Sequence, residues 1–177
     1  MLLLPDGKDW TWVLERRCPD CGFDASALHL DQTRQVLTAA ITVLLDALTE
    51  PGARLRPRPD IWSPLEYACH VRDTCHVFLG RIVLVLAQDN PTFANWDQDS
   101  AAVEGGYGQQ DPHVVASQIQ DALGALLAQV EAIPPEAWPR PAMRSNGSRF
   151  TLDSLIRYLV HDPVHHAHDV ATIAAPA

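Results

Sequence analysis

Proline placement is what most limits the folds open to this chain. Its 14 prolines gather in joints such as "PGARLRPRPD" from Pro51 and "IPPEAWPRPAMRSNGSRF" from Ile133. A proline inside a helix removes a backbone hydrogen bond and collides with the preceding turn, so long helices fit between such joints. The segments left over carry apolar residues at three- and four-residue spacing, as a helix with one face turned to a core requires. No run of strand-like alternation stands out.

The first long helix is expected to start near Asp24 or Ser26, either of which can cap it. Leu28, Val36, Leu37, Ala40, Val43, Leu44 and Ala47 form its apolar stripe, and Pro51 with Gly52 ends it. The second opens at "WSPLEY", where Ser63 is the N-cap, Pro64 the first helical residue and Glu66 the partner in a capping box. It runs to about Gln88 or Asp89. Asn90 to Gln110 reads as a long polar loop exposing Phe93 and Trp96, and loops of that length are often functional. Asp111 with Pro112 opens a third helix, and Thr151 caps a last one reaching about Ala174. A short helical piece covers Trp10 to Arg17.

The expected fold is therefore all-α, a four-helix bundle with short auxiliary helices and long loops. It occupies one domain, 1–177, whose first 23 residues form an extension carrying the "CPDC" turn.

Charge and composition narrow the function. A formal net charge of −9 speaks against a nucleic-acid partner, which calls for a basic field. The start "MLLLPDGKDW" lacks the basic region and cleavage site of a secretory leader. The apolar run "IVLVLAQ" is far short of the ~20 residues that span a bilayer. A soluble, cytoplasmic protein with no membrane partner is expected. Four cysteines (Cys18, Cys21, Cys69 and Cys75) are too few for a secreted disulfide framework and are expected as thiols or metal ligands.

The chemistry concentrates in "YLVHDPVHHAHDV", Tyr158 to Val170. Helical residues are ~100° apart, so the i, i+4 pair His161 and His165 points one way and can chelate one ion. His168 lies near the same face. His166 is turned about a quarter circle away and reads as a surface residue. Two turns, about 10 Å, separate positions i and i+7, so a third ligand should come from another helix. His29, His70, His76 and His113 are the candidates, and His70, set among apolar residues in "LEYACHVRD", is expected to face inward. Pro163 breaks the helix ladder between the two members of the pair, a local violation of the kind found at functional sites.

"WSPLEYACHVRD" together with "LVHDPVHHAHDV" resembles the DinB/YfiT-like superfamily of four-helix bundles, over most of the chain from Phe23 onward. The resemblance implies one histidine from the second helix and an HxxxH pair from the last, holding a divalent metal such as zinc or nickel. Carried over by position, the ligands are His70, His161 and His165. The family's usual small residue after the pair is replaced here by "HAHD", which leaves the part played by His168 open. The resemblance also implies a homodimer and a small-molecule substrate. It points as well to a low-molecular-weight thiol cofactor such as mycothiol or bacillithiol, in chemistry of the S-transferase or isomerase type. A non-catalytic, metal-binding or stress-responsive module is the alternative.

Several residues accompany this reading. Asp73, one turn beyond His70, is placed to orient an imidazole, or to face solvent. Trp96 and Asp97 in "FANWDQD" are candidates for lid or substrate contacts. "CPDCGFD" resembles one knuckle of a zinc ribbon without its second half. It reads as a structural turn, a redox pair, or half of a metal site completed elsewhere. Cys69 and Cys75 read as core thiols.

Overall fold

The structure is a computed structural model that describes residues 10–174. The expectation about a leader at the start of the chain falls outside the described residues. Among those residues, four long helices make the bundle: α1 (Thr33–Leu48), α2 (Pro64–Ala87), α4 (Pro112–Glu131) and α5 (Leu152–Ala174). A short helix, α3 (Gln98–Glu104), lies between α2 and α4. α2 packs most extensively on α4 and also meets α5, while α1 lies against α5.

The start of α2 follows the sequence closely. The Ser63 hydroxyl accepts the N–H of Glu66 at 3.3 Å, and the Glu66 carboxylate accepts the N–H of Ser63 at 2.8 Å. Arg56 pairs with the same carboxylate across the proline-rich connector. Asp111 caps α4 through the N–H groups of His113 and Val114, ahead of Pro112. The Thr151 hydroxyl accepts the N–H of Ser154 at 3.1 Å at the start of α5. α5 then runs as one helix through Pro163.

Three expectations change. Asp24 does cap a helical element, but only the single 3-10 turn Ala25–Ala27, and α1 begins at Thr33 after a second such turn. Asp24 and Ser26 hydrogen-bond within their own short turn instead of opening a long helix, so apolar spacing alone overextended it. The polar loop after α2 contains α3 and the 3-10 turn Tyr107–Gln109, and its Phe93 is buried rather than exposed.

A small three-stranded sheet also forms, its last strand packed against α5. β1 (Thr92–Phe93) pairs parallel with β2 (Pro141–Arg144), which pairs antiparallel with β3 (Arg149–Thr151). An Asn146–Gly147 turn joins β2 and β3, with Gly147 at φ +96, where residues other than glycine are strained. Strands this short carry no readable alternation, which is why the pattern missed them.

The core gathers Leu37, Ile41 and Leu44 of α1, Val71, Phe78 and Ile82 of α2, Ile119 and Leu126 of α4, and Leu155, Ile156 and Leu159 of α5. Cys69 and Cys75 are fully buried among apolar neighbours, as core thiols should be. Burial pushes both up to about 12, so they stay protonated. Among the described residues no helix is long and apolar enough to cross a membrane.

Candidate metal centre

α5 carries two interleaved i, i+4 pairs, 161/165 and 162/166, on neighbouring faces. One face meets α2, and the other meets the N-terminal segment around the 3-10 helix Trp10–Leu14. The face chosen by each pair decides its company.

On the α2 side, donor atoms of His70, Asp162 and His166 lie within 4.8 Å of one another. His70 is fully buried in the second turn of α2. Its Nε2 is 3.3 Å from Asp162 Oδ2, and the His70 and His166 rings meet edge-on at 4.8 Å. Asp162 Oδ2 also lies 3.9 Å from His166 Nε2. The Nδ1 of His166 is 2.9 Å from Asp169 Oδ2. An ionised carboxylate only accepts, so this bond places a proton on Nδ1 and turns Nε2 toward Asp162. Trp96 stacks on His70 with ring planes 12° apart, and Tyr67 lies against His166.

The electrostatics suit a cation. Burial would raise the Asp162 carboxyl, but the imidazoles of His70 and His166 outweigh it and hold the group well below the usual carboxylate range. The buried Oδ1 of Asp162 and Nδ1 of His70 have no hydrogen-bond partner. Leaving a buried polar atom unpaired costs about 1–3 kcal/mol, a cost that a cation at the carboxylate would remove. Two imidazoles and one carboxylate with further positions open is a donor set used by catalytic divalent metals.

On the other side, donor atoms of Cys18, Cys21, His161 and His165 lie within 4.8 Å of one another. Cys18 Sγ is 3.5 Å from His165 Nδ1. Burial, with His165 adding to it, pushes His161 down to about 4, so it is neutral at physiological pH. Burial, with neighbouring Cys18 adding to it, pushes the Cys21 thiol up to about 11. The CPDC turn is therefore more than a fold of the extension: it faces the HxxxH pair.

The two groups share one cleft, a cavity of about 240 Å³ lined in part by Trp10, Gln98, Tyr158, Asp162 and His166. His161 and His165 also reach it.

The set His70, His161 and His165 is thus divided between the two groups. The physical reason is helix phase: Asp162 and His166, one residue on from the expected pair, are the ones turned toward α2. His166, expected at the surface, is only 16% exposed in its side chain and sits within the site. His168 is exposed and belongs to neither group. Asp73 does not orient His70, because its two oxygens accept from Arg72 and the Tyr107 hydroxyl. Asp97 caps α3 through the N–H groups of Asp99 and Ser100. Trp96 does reach the site. His29, His76 and His113 are exposed. Sequence reasoning missed Asp162, His166 and Asp169, although the i, i+4 spacing of the first two was there to be read.

A family model of the DinB superfamily matches residues 29–170. The chain belongs to the DinB superfamily. The match begins after the CPDC turn, so the cysteine pair of this DinB-superfamily protein lies outside it. A solved structure with the same fold is that of YfiT from Bacillus subtilis, described as a probable metal-dependent hydrolase with an unusual four-helix bundle topology. It is 20% identical, with a TM-score of 0.71 over 82% of this chain and 85% of that one. No curated protein matches the sequence.

Proposed function

We propose that this DinB-superfamily chain is a metal-dependent enzyme whose divalent ion, zinc or nickel, is held by His70, Asp162 and His166. The observation that carries the reading is the convergence of those three donors beside a cleft, with the second oxygen of the Asp162 carboxylate buried and unpartnered. A metal bound there would supply Lewis acidity, lowering the pKa of a thiol or water placed against it. Asp169 keeps His166 in the tautomer that presents Nε2, and Trp96 fixes the plane of the His70 ring. At about 240 Å³ the cleft is smaller than most ligand pockets, so it takes a small substrate or the reactive end of a larger one.

The reaction we favour is transfer or isomerisation with a low-molecular-weight thiol of the mycothiol or bacillithiol kind, as the family resemblance suggests. Hydrolysis is a second reading, supported by the two-histidine, one-carboxylate set and by the description of YfiT. A non-catalytic metal or stress-responsive module has no need of a cleft at its metal. Elemental analysis of tag-free protein, wild type and His70→Ala, tests the ligand set: the variant should lose one equivalent of metal, and undiminished content would refute it. Thermal-shift screening of the metal-loaded protein with mycothiol, bacillithiol, glutathione and coenzyme A tests the chemistry. A shift with one thiol supports transfer, and silence with turnover of simple esters or amides would favour hydrolysis. Silence in both assays would leave the module. The same reading carries the homodimer and the cytoplasmic location, and sedimentation velocity checks the first.

A further inference from the structure

A second convergence of donors lies on the face of α5 next to the one that meets His70. Cys18 and Cys21 come from one tight turn, and His161 and His165 from one helix, so each half presents two donors at the spacing a single ion needs. Backbone bonds shape the turn: Cys18 N–H donates to Phe23 O at 2.8 Å and Gly22 N–H to Cys18 O at 3.0 Å. Gly22 sits at φ +73, a conformation that favours glycine. Cys18 is fully buried, His161 is 4% exposed, and the Nε2 of His161 is buried with no hydrogen-bond partner.

We infer that Cys18, Cys21, His161 and His165 form a closed Cys2His2 site for one zinc ion, separate from the His70 group, which pins the N-terminal turn onto α5.

Geometry, charge and coordination agree. Zinc–sulfur and zinc–nitrogen bonds of about 2.3 and 2.05 Å meeting at the tetrahedral angle place the two donors about 3.6 Å apart. Cys18 Sγ and His165 Nδ1 stand 3.5 Å apart. Two thiolates cancel the charge of the dication, so the filled site is neutral and suits its buried position. Filling it releases two thiol protons to solvent. Four protein donors leave no place for substrate, which marks the site as structural rather than catalytic. A Cys18–Cys21 disulfide, by contrast, would leave the paired imidazoles unexplained, and all four cysteines are free thiols.

The consequence reaches the cleft. The Trp10 ring lies 5.9 Å from that of His161 and 5.3 Å from that of His165, and Trp10 lines the cavity beside Asp162 and His166. The zinc site therefore holds one wall of the proposed active site in place.

Cobalt(II) added to metal-free, tag-free full-length protein is the probe. The expected result is a thiolate-to-cobalt charge-transfer absorption with the intense visible bands of a tetrahedral ion. Cys18→Ser/Cys21→Ser should abolish these bands and lower the bound metal by one equivalent. His70→Ala should lower it by one equivalent and leave the bands unchanged, so failure of one site is read separately from failure of the other. Zinc should bleach the cobalt spectrum and shield two thiols from a thiol reagent until a chelator is added. Absence of a thiolate band in the wild type, or full reactivity of Cys18 and Cys21 in zinc-loaded protein, would overturn the inference. Both of those measurements use the wild type, so they decide the matter even where the double variant does not fold.

Discussion

Behind His166, the carboxylate of Asp169 accepts a hydrogen bond from Nδ1 at 2.9 Å, and the same oxygen stands 3.9 Å from His165 Nε2. The shorter contact is a hydrogen bond that fixes the His166 ring and raises its basicity, whereas the longer one only sets a negative charge near His165. Asp169→Ala is expected to weaken zinc binding at the His70, Asp162 and His166 group by about 10–100-fold, measured by competition with a chromophoric chelator. Unchanged affinity there would show that Asp169 does not support the group. Glu66 makes a different residue-level case. Burial would raise its carboxyl, but hydrogen bonds from Arg56 and Ser63 outweigh that and hold it below the usual carboxylate range. A carboxyl depressed in the folded state stabilises the protein above its ordinary pKa, and that contribution fades as the pH falls through the folded value. Subtracting the Tm–pH curve of Glu66→Gln from that of the wild type cancels what both share, including metal loss in acid. The difference should be largest above about pH 4.5 and shrink toward more acid pH; a flat difference would contradict the pairing.

At the scale of elements, the start of α2 matters because it sets the phase of the helix that carries His70. Pro64 fixes the first helical φ, and Ser63 with Glu66 satisfies backbone donors at both ends of the capping box. Ser63→Ala should cost about 1 kcal/mol, read as a lower urea midpoint with an unchanged slope. Because Ser63 is itself fully buried, a loss nearer about 2 kcal/mol, the top of what N-caps contribute, is within reach. α5 has the opposite character, since its two metal-facing sides are distinguished by a single residue of offset. A one-residue change in the phase of α5 therefore exchanges His161 and His165 for Asp162 and His166 on the side that meets α2.

For the molecule as a whole, the two donor groups tie three distant parts of the chain together: the CPDC turn, α2 and α5. A ligand that binds only the folded state stabilises it by RT ln(1 + [L]/Kd), or about 4 kcal/mol at a thousand times Kd. Removing metal with a chelator should lower Tm in calorimetry, and excess zinc should restore it. An unchanged Tm would mean that the apolar core alone sustains the fold and that neither group holds a metal. Trp10 fluorescence offers no clean substitute, because the chain has 5 tryptophans and Trp96 also stands at the site.

Much of this protein was legible in its sequence. Prolines marked the joints, the Ser63–Glu66 box and Asp111–Pro112 marked helix starts, and apolar spacing marked four helices. Local backbone chemistry sets all of these, so no knowledge of distant neighbours was needed. The same holds for the concentration of donors in α5. The short strands and α3 were not legible, because two to seven residues carry too little periodicity to register. The partition of the donors was not legible either. Spacing shows that His161 can pair with His165 and Asp162 with His166, but not which pair turns toward His70. Nor does it show that "CPDC", so far away in the chain, closes on the first pair. Helix phase and the docking of the N-terminal turn decide both, and these are products of packing, which only the tertiary structure fixes.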